Sequence, residues 1–177
     1  MIEKNQLLSS VSSDHLMDFT TNISKEVRLS GSAEEKRSFE YAESVLKGFG
    51  YNTNLYYRPA LISLPGDSQL KVDDQIFTSI THSMAISTSE KGLTAELVYV
   101  GDENYADSIS VHGKAVLIDG LATPGAVRNA ESRGAVAAIF INAQHTHEMI
   151  VSTVWGNPSL ENRDEYPNSP VASVNFL

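Results

Sequence analysis

The chain has 177 residues, 41% of them hydrophobic, so it is long enough to bury the core of one domain, or of one domain with an appendage. Acidic residues outnumber basic ones by 22 to 13, and the formal net charge of −9 argues against a nucleic-acid partner, because phosphates bind to basic surfaces. The chain has no cysteine, which excludes disulfides, thiolate metal ligands and cysteine catalysis.

The first fifteen residues contain no apolar stretch of signal-peptide length. No run in the chain approaches the roughly 18 apolar residues that a membrane-spanning helix needs. We therefore expect a soluble, cytoplasmic protein that has no membrane partner.

Two amphipathic helices are predicted first. One covers Ser13–Val27, with Ser13 as its N-cap, and the other covers Ala33–Lys47 after a capping box formed by Ser32 and Glu35. Their apolar positions recur at helical spacing; they are Leu16, Phe19, Ile23 and Val27 in the first helix and Phe39, Ala42, Leu46 and Phe49 in the second. Gly48 and Gly50 end the second helix, and the alternation in Tyr51–Tyr57 then predicts a strand.

This opening is similar to that of a known enzyme family. The residues that carry the likeness are Arg28, Gly31-Ser32, Tyr41-Ala42, Leu46 and Phe49-Gly50-Tyr51. They resemble the first segment of zinc exopeptidases with a co-catalytic metal pair, the family of bacterial leucyl aminopeptidases, glutamate carboxypeptidase and the transferrin receptor. Taken alone, the Arg-x-x-Gly-Ser loop also fits a plain connection between two helices.

Short β-type segments follow from Arg58 onwards. Candidate strands are Leu61–Leu64, Gln69–Val72, Gln75–Ile80, Met84–Thr88 and Leu93–Val100, separated by turn-forming residues. The composition shifts toward Ser, Thr and Gly at this point. We therefore expect a domain boundary near Tyr57, with a helical segment at 1–57 and a second domain at 58–177.

A strand, a helix and a strand are predicted between His112 and Asn142. Lys114–Asp119 and Val136–Asn142 are short runs rich in Val and Ile, as in strands covered on both faces. Thr123 and Pro124 form a helix start, and Gly134 marks the stop. The sixteen residues between the runs are enough for a parallel, right-handed crossover.

The same region resembles a protease-associated domain over roughly Thr94–Phe176. The resemblance rests on Gly101-Asp102-x-x-Tyr105, Asp107, Gly113-Lys114-Ala115-Val116-Leu117-Ile118, Asn129-Ala130-Glu131 and Gly134-Ala135-x-Ala137-Ala138-Ile139-Phe140-Ile141-Asn142. It implies a mixed α/β fold, a sandwich-like β/α domain with a parallel strand-helix-strand core, here preceded by the two amphipathic helices. In the exopeptidase family such a domain is often inserted soon after the opening helices.

The segment Ala143–Asn168 is predicted to be a long loop, with a short strand around Ile150–Trp155, before a last strand at Val171–Phe176. Loops of this length are usually functional or mobile. Its distinctive side chains form the candidate surface for a substrate or partner: His145, His147, Trp155, Glu161, Asp164 and Glu165. Trp155 can also be interpreted as packing the loop onto the sheet, and the loop as a connection without a role.

His145, His147 and Glu148 are candidate zinc ligands, although their spacing does not put both histidines on one helical face. The family resemblance implies two zinc ions bound by His, Asp and Glu, beginning with a His-x-Asp after the inserted domain. None of these motifs maps onto the chain up to Leu177. We therefore expect no catalytic or metal-binding residues here, and zinc only in a longer parent enzyme.

Three functions remain open. The chain is either the non-catalytic front portion of a zinc aminopeptidase, where it controls substrate access, or a stand-alone module that binds a protein or peptide, or a hydrolase built on the His145–Glu148 cluster. If the chain is the front portion of an aminopeptidase, the apolar faces of its two helices would cover a catalytic domain that these 177 residues do not include. Large apolar patches rarely stay in water, so we expect them to be partly exposed, or buried in a homodimer.

Overall fold

The structure is a computed structural model that describes residues 8–175, apart from the side chain of Arg163. The chain divides into two compact units, unit 1 at Met1–Ile62 and unit 2 at Ser63–Leu177. Helices make up unit 1, and a mostly parallel sheet makes up most of unit 2. The predicted mixed α/β class is confirmed. Within the described residues, no helix is both long and apolar enough to cross a bilayer.

Helix α1 covers Ser13–Ile23 in unit 1. Its N-cap is Ser12, whose hydroxyl accepts a hydrogen bond from the N–H of His15 at 3.2 Å. The prediction that Ser13 is the cap and that the helix reaches Val27 is therefore wrong by one residue at the start and four at the end. Arg28 explains the early end, because its guanidinium donates to the Ile23 carbonyl and satisfies it without another helical turn.

Helix α2 covers Ala33–Gly48, close to the prediction. Its capping box forms with a shift: the Ser32 hydroxyl accepts from the N–H of Glu35 at 3.1 Å, whereas the Glu35 carboxylate accepts from the N–H of Gly31 at 2.7 Å. The predicted strand at Tyr51–Tyr57 is wrong. The N–H of Tyr51 donates back to the helix carbonyl of Leu46, and a strand cannot form without a neighbouring strand to pair with.

Seven strands are described in unit 2. They are β1 (Leu70–Val72), β2 (Gln75–Phe77), β3 (Ile80–Thr81), β4 (Leu97–Gly101), β5 (Ala115–Asp119), β6 (Ala137–Asn142) and β7 (Val171–Asn175). Strands β1 and β2 form an antiparallel hairpin, and the other five form one sheet in the order β3-β7-β6-β5-β4. That sheet is parallel except where β3 pairs with β7.

The predicted parallel connection is confirmed, because β5 and β6 pair as parallel strands. Helix α3, at Pro124–Ser132, connects them, and the hydroxyl of its N-cap Thr123 accepts from the N–H of Ala126 at 3.2 Å. Ala126, Val127 and Ala130 are buried against the sheet. Their small size lets the helix lie close to the strands.

Several other predicted strands are wrong or shorter. No strand covers Leu61–Leu64, Met84–Thr88 or Ile150–Trp155. The predicted strand Gln75–Ile80 contains β2 and only the first residue of β3. The predicted strand Leu93–Val100 overlaps β4 only from Leu97 onwards. Within the predicted strand Ile150–Trp155, Ile150 alone forms an isolated parallel bridge, with Ser83. The last strand ends at Asn175, and Phe176 lies outside the described residues.

Candidate recognition surface

The segment Ala143–Asn168, here called the candidate loop, leaves the sheet at the end of β6 and returns just before β7. It contains no strand, and its one regular element is a short 3-10 helix at Arg163–Glu165. Three sets of hydrogen bonds hold it to the sheet and to α3. The loop is therefore a fixed structure over much of its length.

The first anchor lies beside β3, at His82 and Ser83. Ser83 donates its N–H to the Met149 carbonyl and accepts from the N–H of Val151 on its own carbonyl, both at 3.0 Å. Its hydroxyl donates to the Glu148 carboxylate at 2.8 Å. Val151 is fully buried in the main core. The backbone on both sides of Ile150 is thus pinned to the edge of the sheet.

His82 completes this anchor. Its side chain is only 2% exposed; Nδ1 accepts from the N–H of Met149 at 3.1 Å, and Nε2 lies 2.9 Å from the hydroxyl of Ser173 in β7. Because an amide N–H can only donate, Nδ1 must be unprotonated and Nε2 must carry the proton. Burial lowers the pKa of His82, and the carboxylate of Glu148 opposes that effect in part.

The pair of His82 and Ser173 is therefore not a nucleophilic dyad. A histidine base must accept the serine proton, but here Nε2 donates to that hydroxyl. Ser173 is also completely buried, so no substrate carbonyl can reach its oxygen. The arrangement serves to hold the loop.

The second anchor joins two parts of the loop to each other and to α3. The hydroxyl of Thr153 donates to the Glu165 carboxylate, and the hydroxyl of Ser152 donates to the Glu165 carbonyl at 3.4 Å. Arg128, on α3, lies 3.9 Å from the same carboxylate and donates to the Thr153 hydroxyl at 3.3 Å. Glu165 therefore has a structural role that its acidic neighbours in the loop lack.

The third anchor is Glu131, near the end of α3. One of its carboxylate oxygens accepts from the N–H of Asn168 at 2.7 Å and from the N–H and hydroxyl of Ser169 at 2.8 and 2.7 Å. Ser169 is buried. This single carboxylate therefore fixes the point at which the loop rejoins the sheet.

The candidate surface residues have different environments. His145, His147, Glu161 and Asp164 are exposed, and Trp155 is 40% exposed, so its ring is neither a free anchor nor fully packed. His147 is fixed through its backbone, since its N–H donates to the buried amide oxygen of Asn142 at 2.8 Å. No hydrogen bond or ion pair between described residues joins the two histidines to Trp155 or to the acidic side chains.

The acidic end of the loop also carries an exposed apolar side chain. Leu160 is 89% exposed, and the turn that presents it is held by the Asn162 amide oxygen, which accepts from the N–H of Ser159 at 2.7 Å. Trp155 and Leu160 thus flank a short segment in which no residue is buried. An apolar side chain beside free carboxylates suits a ligand that has both an apolar and a cationic part.

The described residues contain no group of three or more His, Asp or Glu side chains placed to hold a metal ion. Of the candidate zinc ligands, Glu148 instead accepts a hydrogen bond from the hydroxyl of Ser83. His145 and His147 are left as two exposed imidazoles. The structure does not support a hydrolase built on this cluster.

Four residues that shape this site carry no signal in the sequence: His82, Ser83, Glu131 and Ser173. His82 stands alone, without a chemically distinctive neighbour in the sequence. Its partners are 67 and 91 positions away along the chain, so no local pattern reveals them. Glu131 lay within the motif of the family resemblance, but nothing in its neighbourhood indicated that it clamps Ser169.

Unit 1 has an apolar surface of its own. Neither α1 nor α2 contains a buried residue. Leu16, Phe39, Leu46 and Phe49 are all more than 40% exposed. An open groove of about 250 Å³ lies among these helices and the segment that joins them, and its lining includes Ile23, Phe39 and Ala42.

The two units differ in charge. Residues 63–177 hold 14 of the 22 acidic residues but only 6 of the 13 basic ones, a formal charge of −8 against −1 for residues 1–62. Unit 2 therefore carries nearly all of the net negative charge, and unit 1 carries an apolar surface. The two suit different partners.

Part of the chain matches a known domain family, and its fold matches solved structures. Residues 93–176 match the family model described as "PA domain". No curated protein matches the sequence. Among solved structures, an aminopeptidase from Aneurinibacillus sp. strain AM-1 aligns with a TM-score of 0.64 and 21% identity over 93% of this chain.

Two further structures align in the same way. BSAP, a zinc aminopeptidase from Bacillus subtilis, gives a TM-score of 0.61 at 20% identity over 92% of the chain. A peptidase M28 precursor from Shewanella amazonensis gives 0.59 at 21% identity over 89%. The chain spans only 38 to 40% of the length of these structures. Residues 93–176 are a PA domain, in a chain whose fold matches a part of these aminopeptidases.

Proposed function

We propose that the chain is the non-catalytic front portion of a zinc-dependent aminopeptidase, and that its PA domain controls which peptides reach the catalytic part. The observation that carries this proposal is the extent of the fold match. It covers 92% of the chain in the zinc aminopeptidase from Bacillus subtilis, so it includes the helices of unit 1 as well as the PA domain. A PA domain alone would match only the later part.

In this proposal the zinc ions belong to the remainder of the enzyme. That remainder corresponds to the roughly 60% of each aminopeptidase structure that this chain does not cover. The 177 residues supply no catalytic group. Their contribution is to shape and charge the approach to the metals.

The apolar surface of α1 and α2 is the contact that we assign to the catalytic part. Fully burying a Leu or Phe side chain stabilises a contact by about 1.5–3 kcal/mol, and four such side chains are exposed here: Leu16, Phe39, Leu46 and Phe49. Unit 1 is also close to electrically neutral. Arg28 and Glu35, which have opposite charges, also line the groove on this face. Exposed apolar side chains with little net charge suit a permanent interface within one enzyme.

The candidate loop supplies the contact with the peptide. Glu161 and Asp164 are exposed carboxylates next to the apolar Leu160, and the loop is held in place at His82, Glu131 and within itself. An aminopeptidase substrate has a cationic amino terminus beside its first side chain. Each exposed ion pair stabilises such a contact by about 1 kcal/mol or less, so the loop selects peptides and does not bind them tightly.

The test uses the aminopeptidase that contains this chain. Replacing Glu161 with Gln and Asp164 with Asn should raise KM by up to about fivefold per substitution for small cationic peptides, with zinc content unchanged. Asp74→Asn, on the β1–β2 turn, is the control, because Asp74 is also an exposed carboxylate and lies outside the loop. Unchanged kinetics over a panel of peptides would contradict a role for the loop.

A second candidate is a stand-alone module that binds a protein or peptide. The exposed face of α1 and α2 favours it in one respect, since a second copy of the chain could cover the same side chains in a homodimer. Sedimentation of the 177-residue protein shows whether a second copy covers this face. A dimer that Phe39→Glu dissociates would show that it does in the isolated chain, and finding the chain in its native source without an associated peptidase would support the module.

A further inference from the structure

The hydrogen bonds of His82 make the first anchor dependent on one proton. The neutral ring accepts from the N–H of Met149 on Nδ1. A proton added to the ring must go to Nδ1, since Nε2 already carries one and faces the Ser173 hydroxyl. Two N–H donors would then oppose each other across the 3.1 Å between Nδ1 and the Met149 nitrogen.

The surroundings of the ring offer little compensation for the added charge. His82 is 2% exposed, so the imidazolium would be poorly solvated where it stands. The titratable group that acts on it is Glu148, from the loop, and one oxygen of that carboxylate already accepts from Ser83. From β7 the facing group is the Ser173 hydroxyl, which carries no charge. Burial outweighs Glu148, so the pKa of His82 lies below its ordinary value.

Separation of the loop from His82 removes this conflict. With Met149 displaced, the ring contacts water and accepts a proton at its ordinary pKa of about 6.5. The bonds of Ser83 to Met149 and Val151 belong to the same short bridge and would be lost together. Opening is therefore coupled to the uptake of one proton.

We propose that His82 is an acid-sensitive latch whose protonation releases the segment Met149–Val151 of the candidate loop from the edge of the sheet. The latch itself is a property of unit 2. Its consequence for peptide access rests on the proposed function, because only there does the position of the loop matter to a substrate. Acidification would then loosen the support of Glu161 and Asp164 without altering either carboxylate directly.

Hydrogen exchange of backbone amides tests the latch in the purified 177-residue protein. The protection factors of the Met149 and Val151 amides should be constant above about pH 7 and should fall by up to tenfold per pH unit below about 6.5, as the uptake of one proton requires. The amide of Phe140, in the centre of β6, is the internal reference and should stay more protected at every pH.

Two variants identify the histidine responsible. His82→Asn places an amide oxygen near the position of Nδ1, so it keeps an acceptor for Met149 and should make the protection of the loop independent of pH. His147→Gln removes the exposed histidine nearest to Met149 in sequence and should retain the full pH effect. Proton NMR titration of the wild-type His82 ring supplies a measurement that needs no variant and should give a pKa below 6.5.

Three results would overturn the latch: protection of Met149 and Val151 that does not vary between about pH 7.5 and 5, protection equal to that of Phe140 throughout, or a His82 ring that titrates like a free imidazole. None of these measurements involves a peptide. A failed latch would therefore leave the KM test of Glu161 and Asp164 unaffected, and unchanged KM values would leave the latch standing.

Discussion

Replacing Glu131 with Ala should destabilise unit 2 more than any other exposed or half-exposed helical substitution. One oxygen of this carboxylate accepts three hydrogen bonds from Asn168 and Ser169, two of them from backbone N–H groups. Hydrogen bonds to a charged group contribute about 1.5–3 kcal/mol, and each buried donor left unsatisfied costs about 1–3 kcal/mol. The donors of Ser169 are buried and would be left without a partner, whereas the N–H of Asn168 can bind water instead. We therefore expect the free energy of unfolding to fall by about 3 kcal/mol.

The assay is urea denaturation followed by the fluorescence of Trp155, the only tryptophan, which reports on unit 2. Glu131→Gln keeps an acceptor oxygen but loses the charge, and it should cost about 1 kcal/mol. Asp74→Ala is the control within unit 2, since Asp74 is exposed and its ion pair with Lys71 is 3.4 Å long, and its effect should stay within about 0.5 kcal/mol. A Glu131→Ala protein as stable as this control would refute the clamp.

Four further predictions follow from the same geometry. Gly134→Ala should lower the free energy of unfolding by more than about 1 kcal/mol in thermal denaturation, because φ is +82° and the added Cβ would lie 2.6 Å from the His112 ring. Adding His112→Ala to this variant should restore only part of the lost stability. Arg133→Lys should lower the unfolding temperature. The guanidinium lies 4.0 Å from the centre of the Tyr105 ring and donates to two backbone carbonyls, and an ammonium group cannot make all of these contacts at once. An unchanged unfolding temperature would contradict this role of the guanidinium. His82 has a lower pKa in the folded protein than in the unfolded chain, where it binds a proton below about pH 6.5. The free energy of unfolding should therefore decrease as the pH falls from about 6.5 to the pKa of the folded state, and should then level off. His82→Phe should show no such step in a pH series of urea denaturations. The purified 177-residue protein should show no aminopeptidase turnover; turnover abolished by a chelator would contradict the assignment of the metals to the remainder of the enzyme.

The parts of the fold that the sequence predicts well are those with local signals. The crossover from β5 to β6 has apolar runs, an N-cap at Thr123 and a glycine stop at Gly134, and each of these features acts over a few residues. The start of α2 is similar, since the capping box of Ser32 and Glu35 is complete within four positions. Such signals agree with the final structure because tertiary contacts reinforce them.

The failed predictions concern segments whose structure depends on distant partners. Tyr51–Tyr57 alternates like a strand, but unit 1 offers it no strand to pair with. Ile150 lies in a predicted strand, yet only a single bridge to Ser83 forms. The anchors of the candidate loop depend on contacts such as the one from His82 to Ser173, and a single sequence carries no signal for a pair so far apart. The candidate surface itself remains a prediction.

A purification from the native source tests whether these 177 residues act as part of a zinc aminopeptidase. The protein is captured with an antibody against this chain, and the mass of the captured species, its zinc content and its hydrolysis of aminoacyl substrates are measured. We expect a species heavier than 19.3 kDa that contains zinc and has aminopeptidase activity sensitive to a chelator. A 19.3 kDa polypeptide that is free of zinc, lacks activity and has no associated peptidase would contradict the proposal.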